Sequence, residues 1–352
     1  MLKTFIALML SCLPCLVQSA EDPWTLNLHF ENDLFADTDL NYTNGVRASW
    51  VSPDLEHFLQ DQQNSFAWIN KVNQLLEPLH PALSSARTTG EKVHKNIVFS
   101  VGQLIFTPQD KAKTTLDKTD RPYAGWLYGG IGYQARTDSK LHSFELNLGI
   151  VGPASLAKES QDFIHNIRAI ERFNGWHNQL SNELGVQLVF ERKRRFKPFK
   201  KSAASDSGIS SLESDFITHW GGSLGNVATY VNAGAEWRLG WSLPSDFGTS
   251  TLKPGGDSNN PATGDPDRRD LQVHGFAAID GRLVARNIFL DGNTFTDSHS
   301  VYKKKLVADM TVGVSATYRR WSVSYAHVYR TKEFKAQSAA QKYGSLSMSY
   351  SY

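Results

Sequence analysis

The sequence predicts an all-β protein, a transmembrane antiparallel β-barrel of about 12 strands, with a short helix in one of its extracellular loops. Three observations lead there. Apolar and polar residues alternate with a period of two along most of the chain. The inner positions of these strands would carry Glu31, Arg47, Glu145 and Asn147. The core of a soluble β-sandwich does not tolerate such residues, whereas a hydrogen-bonded barrel lumen does. Finally, no run of 18 or more apolar residues lies beyond the N-terminus, which excludes helical membrane spans.

The elements follow in order. Residues 1–20 are expected to be a signal peptide. Lys3 gives a positive start, residues 5–17 an apolar stretch lightly broken by Ser11 and Pro14, and Ser19-Ala20 a small-residue cleavage site ahead of Glu21-Asp22. Acylation at Cys12 or Cys15 is the weaker alternative, because neither has the small-residue context of a lipoprotein. These are the two cysteines of the chain. Cleavage would leave residues 21–352 as one cysteine-free barrel domain, stabilised by a closed sheet instead of disulfides.

Strands are expected at 24–32, 42–52, 95–106, 123–136, 140–150, 184–195, 212–223, 227–241, 270–288, 303–318, 320–331 and 342–352. In the first, Trp24, Leu26, Leu28 and Phe30 alternate with Thr25, Asn27, His29 and Glu31. In the second, Val46, Ala48 and Trp50 alternate with Gly45, Arg47 and Ser49. In the fifth, Phe144, Leu146, Leu148 and Ile150 alternate with Ser143, Glu145, Asn147 and Gly149. The last strand sets Tyr343, Leu346, Met348 and Tyr350 before a terminal Tyr352. That aromatic ending resembles the C-terminal strand that the barrel-assembly machinery of the bacterial outer membrane recognises. Polar stretches at 53–94, 107–122, 196–211, 242–269 and 289–302 are loops.

Between 154 and 172 the period becomes helical. Leu156, Phe163, Ile164, Ile167 and Ile170 recur at that spacing, Gly152-Pro153 opens the segment and Asn174-Gly175 closes it. One feature strains the plan. With the N-terminus in the periplasm, the 242–269 loop falls on the periplasmic side, where turns are normally short. Either a strand between 196 and 241 is miscounted or this barrel has a long inner loop.

A length of 352 residues suggests two or three domains, or one large sheet closed on itself. The alternation, with no repeat or linker, selects the single sheet. With 37 Lys+Arg against 35 Asp+Glu the net charge is +2, which argues against a nucleic-acid partner. The mean hydropathy is −0.38. Charge at 20% with 11% aromatics and 26 glycines disfavours disorder.

By strand parity the extracellular rim collects Asn32-Asp33, residues 41–44, the 107–122 loop and the predicted helix. Taken singly, Asn32-Asp33 reads as turn chemistry. Gln161 and His165, four residues apart, project from one helix face. Lys111, Lys113 and Lys118 read as solvated charges. So does the run from Arg192 to Lys201, with seven basic residues at the periplasmic end. Gly221-Gly222-Ser223-Leu224-Gly225 matches G-x-S-x-G but lacks the strand–turn–helix context of a nucleophile elbow.

Several of these segments together carry a family resemblance. They are Asn32-Asp33-Leu34-Phe35, Asn41-Tyr42-Thr43-Asn44-Gly45, residues 120–128 (DRPYAGWLY), residues 149–153 (GIVGP) with Gln161 and His165, Asn174-Gly175-Trp176, and residues 287–293 (NIFLDGN). They resemble the lipid A 3′-O-deacylase family of the outer membrane, over almost the whole expected mature chain. The resemblance implies a twelve-stranded barrel with its active site at the extracellular rim. It also implies calcium-dependent removal of the ester-linked acyloxyacyl chain at the 3′ position of lipid A, within lipopolysaccharide among other outer-membrane lipids. It matches His165 to the general base, Gln161 to its helix partner, and Asn32 and Asp33 to the Asn-Asp pair at the calcium or oxyanion site. Asp33 would be the metal-binding carboxylate, with Ca²⁺ as cofactor. Thr43 matches the hydroxyl residue of a Tyr-Thr pair, and Lys113 a substrate-binding lysine. The position after it, basic in some members, is Thr114 here, and the 53–94 loop is long for the family.

The residue types suit the reaction. Ester hydrolysis needs a near-neutral base to activate water and a positive centre where the oxyanion forms. A lysine at the rim offers a point charge to a lipid A phosphate. Two other functions share this architecture: a non-enzymatic barrel serving as pore or scaffold, and an outer-membrane phospholipase.

Overall fold

A computed structural model describes residues 23–33, 41–55, 92–196, 212–248 and 271–352. The expected signal peptide, both cysteines, Leu34, Phe35 and most of the 53–94, 196–211 and 242–269 loops lie outside these residues.

Twelve strands form one closed barrel in which each pairs antiparallel with the next and the first with the last. They are β1 (Thr25–Asn32), β2 (Asn41–Val51), β3 (His94–Thr107), β4 (Ala124–Arg136), β5 (Lys140–Val151), β6 (Glu183–Phe196), β7 (Leu212–Gly225), β8 (Ala228–Trp241), β9 (Gln272–Asn287), β10 (Leu306–Tyr318), β11 (Trp321–Arg330) and β12 (Gln341–Ser351). All twelve expected strands are present within about three residues of their expected ends. β10 starts at Leu306, not 303, because Lys303 bridges Phe334 outside the ladder and its Nζ binds Asp291 Oδ1 at 2.6 Å.

The alternation resolves as polar inside, apolar outside. In β1, Thr25, Asn27, His29 and Glu31 are buried while Leu28 is exposed. Outward-pointing Val46, Phe99, Ile131, Leu146, Leu148, Leu184 and Val186 form an exposed apolar belt. Inside, charges are paired. Arg47 donates to both oxygens of Glu145 at 2.9 and 3.0 Å, and Ser100 donates to the first at 3.0 Å. Asp309 accepts from Arg282 and Arg330, each at 2.8 Å, and Arg330 donates to the Tyr343 hydroxyl at 2.7 Å. A charge taken out of water persists only with such partners.

Both ends of the lumen are filled. At the end where β1 finishes, an apolar cluster crosses the barrel, including Phe106 stacked on Phe289 with ring centres 4.1 Å apart. At the other end, the chain leaving β8 turns back inside. Phe247 is buried against Arg195, and Arg238 binds Asp215 at 2.6 Å, the Pro244 carbonyl and Asp246. Between the plugs lies a cavity of about 60 Å³, lined among others by Phe247, His219 and Asp280.

This accounts for the strained loop. β6 pairs directly with β7 and β7 with β8, so the barrel closes among the described residues without a further strand between 196 and 241. The inner loop begins by entering the barrel as a plug. The basic run from Arg192 also departs from expectation. β6 continues to Phe196, so its alternation turns Lys193 and Arg195 into the lumen instead of leaving them solvated.

The helical segment is split. A 3₁₀ turn (Pro153–Ser155) precedes α1 (Ala157–Arg168), with Leu156 left-handed between them at φ 57°. The helix stops at Ala169, φ 53°, where Ile170 N–H returns to the His165 carbonyl at 2.9 Å. It therefore ends before the expected Asn174-Gly175, which leads instead into a second 3₁₀ turn (Trp176–Asn178). A one-turn helix, α2 (Ile288–Asp291), starts where Asn287 Oδ1 accepts from Phe289 N–H at 3.1 Å. It carries Phe289 into the plug.

Candidate functional site

The strand register defines a row of outward positions at the rim where β1 ends. Asn32 pairs with Asn44, Asn44 with Ile105, and Ile105 with Gly125, so the row crosses β1 to β4. At about 4.8 Å per strand the row is roughly 15 Å wide. The outward residues of the belt, such as Val46, Phe99 and Ile131, are exposed, yet Asn32, Asn44 and Ile105 are only 4%, 3% and 1% exposed. The outer wall is covered here.

Part of the cover is α1. A Cβ added to Gly125 would lie 2.2 Å from Ala157 Cβ and 2.3 Å from Ser155 Oγ, so only glycine allows the helix to sit directly on β4. Gln103 Nε2 donates to the Ser155 carbonyl at 2.6 Å. Ile105, Tyr123, Ala157, Phe173 and Trp176 form one buried cluster that holds the helix to the wall. Gly152, at φ 98°, makes the turn out of β5 where a side chain would strike Ser181.

Against the wall α1 presents Ala157, Gln161 and His165, its three buried residues, spaced four apart. His165 Nδ1 lies 2.6 Å from the Glu171 carbonyl oxygen, and that oxygen can only accept. Nδ1 therefore carries a hydrogen, and in the neutral tautomer the lone pair is on Nε2. Gln161 Nε2 stands 3.5 Å from that Nε2. The ring of Phe173 lies 5.6 Å from the imidazole and fixes its other side.

On the wall, Asn32, Asp33, Thr43 and Asn44 are all buried. The register slips between Tyr42 and Asn44, leaving Thr43 as the extra residue of a bulge. Tyr42 thereby points into the lumen plug while Asn44 points outward. The Thr43 and Thr107 hydroxyls are 2.7 Å apart. Together these four residues offer a carboxylate, two amide oxygens and a hydroxyl, the hard oxygen donors that suit calcium. Among the described residues no group of three or more His, Cys, Asp or Glu is placed to hold a metal. A cation here would have Asp33 as its carboxylate and neutral oxygens for the rest, a set that fits calcium.

Lys113 is engaged elsewhere. Its Nζ donates to Asp117 at 2.7 Å on a partly exposed loop. That hydrogen bond raises the lysine pKa and holds the Asp117 carboxyl well below the usual carboxylate range. Lys111 Nζ lies 5.5 Å from the centre of the Phe173 ring that flanks His165. Tyr123 lies beneath, its phenol pushed up to about 12 by burial.

The structure thus brings Gln161 and His165 together on the helix. It also gathers Asn32, Asp33 and Thr43 on the adjoining wall. Asn44 and Gly125 join the site without a role assigned to them from sequence, and Lys111, expected to be a solvated charge, lies over the Phe173 ring. Asn44 and Gly125 stood in the family-like motifs, but their roles depend on register, which local sequence does not encode. Ser223 of the G-x-S-x-G match is buried in β7, where the Gln187 amide donates to it and no helix follows. It is part of the wall.

The family model described as outer membrane protein LpxR matches residues 4–352. Among solved structures the chain is similar to LpxR from Salmonella typhimurium, with a TM-score of 0.68 at 20% identity over 93% of this chain and 100% of that one. It also aligns with the beta domain of the Bordetella autotransporter BrkA, at 8% identity over 95% of this chain and 100% of that one. There the TM-score of 0.41 is too low to argue from. No curated protein matches.

Proposed function

The chain belongs to the LpxR outer membrane protein family, and on that premise we propose that it is a lipid A 3′-O-deacylase, hydrolysing the ester that holds the acyloxyacyl chain. The observation that carries this reading is the buried His165, whose Nδ1 is committed to the Glu171 carbonyl, which leaves Nε2, beside the Gln161 amide, as the nitrogen free to act as a base. Nε2 takes a proton from water as it attacks the ester carbonyl, and returns it to the departing alkoxide. Gln161 keeps the ring in register. The Thr43 hydroxyl and the Asn32 and Asn44 amides are the polar groups of the wall for the developing oxyanion. No serine nucleophile is required.

Asp33, with those neutral oxygens, would hold Ca²⁺, which when bound supplies positive charge for the oxyanion. Lys113 and Lys111 are the cations for a lipid A phosphate. In this reading residues 1–20 direct export, the strand ending at Tyr352 is handed to the barrel-assembly machinery, and the His165 rim faces the extracellular leaflet. The filled lumen argues against the pore alternative.

Mass spectrometry of lipid A from cells expressing the wild type or His165→Ala tests the reading. The wild type should release the 3′ chain, and the variant should be slower by about 10²–10⁴-fold. Chelation by EDTA should abolish activity and added Ca²⁺ restore it. Fully acylated lipid A with folded wild type would refute the assignment, and activity on phospholipid vesicles lacking lipid A would favour a phospholipase instead.

A further inference from the structure

Helix α1 is amphipathic in an inverted sense. Its buried face carries Gln161 and His165, while Phe163, Ile167 and, at its N-cap, Leu156 point away from the protein. Leu156 is 52% exposed, Phe163 43% and Ile167 68%. Positions 156, 163 and 167 are seven and four apart and so share one flank. The other flank is charged: Lys158 binds Asp162 at 2.7 Å across one turn, and Glu159 and Asn166 beside them are exposed. The helix therefore has three sides, one against the wall, one apolar and one polar.

The apolar flank continues a surface whose partner is already defined. α1 follows β5 directly and sits on the outer wall at Gly125. The exposed outward residues further along these strands, Ile131 and Leu148, belong to the belt that an outer-membrane barrel buries in acyl chains.

We propose that α1 is an interfacial helix whose flank of Leu156, Phe163 and Ile167 lies in the acyl-chain layer of the surrounding leaflet, with its Lys158–Asp162 flank in water. The contact is independent of the reaction at His165. If the deacylase reading holds, its consequence is that an acyl chain reaches the cleft from the leaflet along the outside of the barrel, without passing through water. Such a helix binds by apolar area on one side and polar residues on the other.

The test is nitroxide accessibility in the full-length protein reconstituted into phosphatidylcholine vesicles. Labels are placed on single cysteines substituted for Phe163, Ile167, Glu159 or Asn166, with the unsubstituted chain as background. All four sites are exposed, so the substitutions spare the packed face. Collisions with oxygen should exceed those with a water-soluble nickel chelate at 163 and 167, and the preference should reverse at 159 and 166. Chelate preference at all four sites would overturn the proposal. So would dipolar broadening between labels at 163 that disappears on dilution with unlabelled protein, because a second copy would then cover the flank. Neither measurement needs catalytic activity, so failure of the deacylase reading would leave this result standing.

Discussion

At the scale of single residues, what decides a role is the partner a side chain has found. His165 and Gln161 were legible because a spacing of four puts two side chains on one helix face. The group that assigns the proton to Nδ1, the Glu171 carbonyl, was not legible, because any residue supplies a carbonyl. Lys113 shows the converse. Its type suits a phosphate, but its ammonium is engaged by Asp117. The sign of that coupling follows from the shifts. The depressed Asp117 carboxyl keeps the pair intact below its unfolded value of about 4, and the pair is lost only as pH falls through the lower folded value. The raised Lys113 keeps its proton past its ordinary range at the alkaline end. Across neutral pH a phosphate must therefore compete with a constant carboxylate. Steady-state kinetics on dispersed lipid A should show KM up about tenfold in Lys113→Ala with kcat nearly unchanged. KM should fall in Asp117→Asn. An unchanged KM in both would remove Lys113 from the substrate site and leave Lys111 as the cation beside the cleft.

At the scale of elements, the strands were legible because alternation is a local signal, and twelve of them appeared where the period of two placed them. The orientation of α1 was not. An apolar stripe ordinarily marks the side of a helix that packs on the core, yet here the stripe at Leu156, Phe163 and Ile167 faces outward. What seats the helix is a glycine. Gly125→Leu would thrust its side chain into Ala157 and Ser155, an overpacking that costs about 1–3 kcal/mol and falls on the helix contact instead of the β3–β4 ladder. The variant should keep the heat-modifiable gel mobility of a closed barrel while deacylation drops by at least an order of magnitude. Gly125→Ala should lie between. Full activity in Gly125→Leu would show that the close seat of α1 on β4 is not needed to align His165 with the wall.

At the scale of the molecule, the barrel has two differently built ends, and the sequence showed only part of that division. Strand parity gathered the chemically useful residues at one rim. The strained feature at the other rim, a long inner loop, made sense only once the chain was seen to turn back inside at Pro244 and bury Phe247. Nothing in the composition of 242–248 marks it as lumenal, because its partners Arg195, Asp215 and Arg238 come from three different strands. Arg238 is the keystone, donating to Asp215, Asp246 and the Pro244 carbonyl with its side chain fully buried. Removing it strands two carboxylates in the lumen, a loss of about 3–5 kcal/mol by the usual cost of breaking a buried pair. That cost is far smaller than the stability of a closed ladder of twelve strands, so the wall should survive while the plug loosens. In planar bilayers the wild type should therefore carry no steady current, and Arg238→Ala should show flickering ion conductance. Its rate on lipid A should change less than twofold, because the cleft lies at the opposite rim, on the outside of the wall. A steady wild-type current would revive the pore reading. A large loss of deacylation in Arg238→Ala would mean that the two ends are mechanically coupled through the wall.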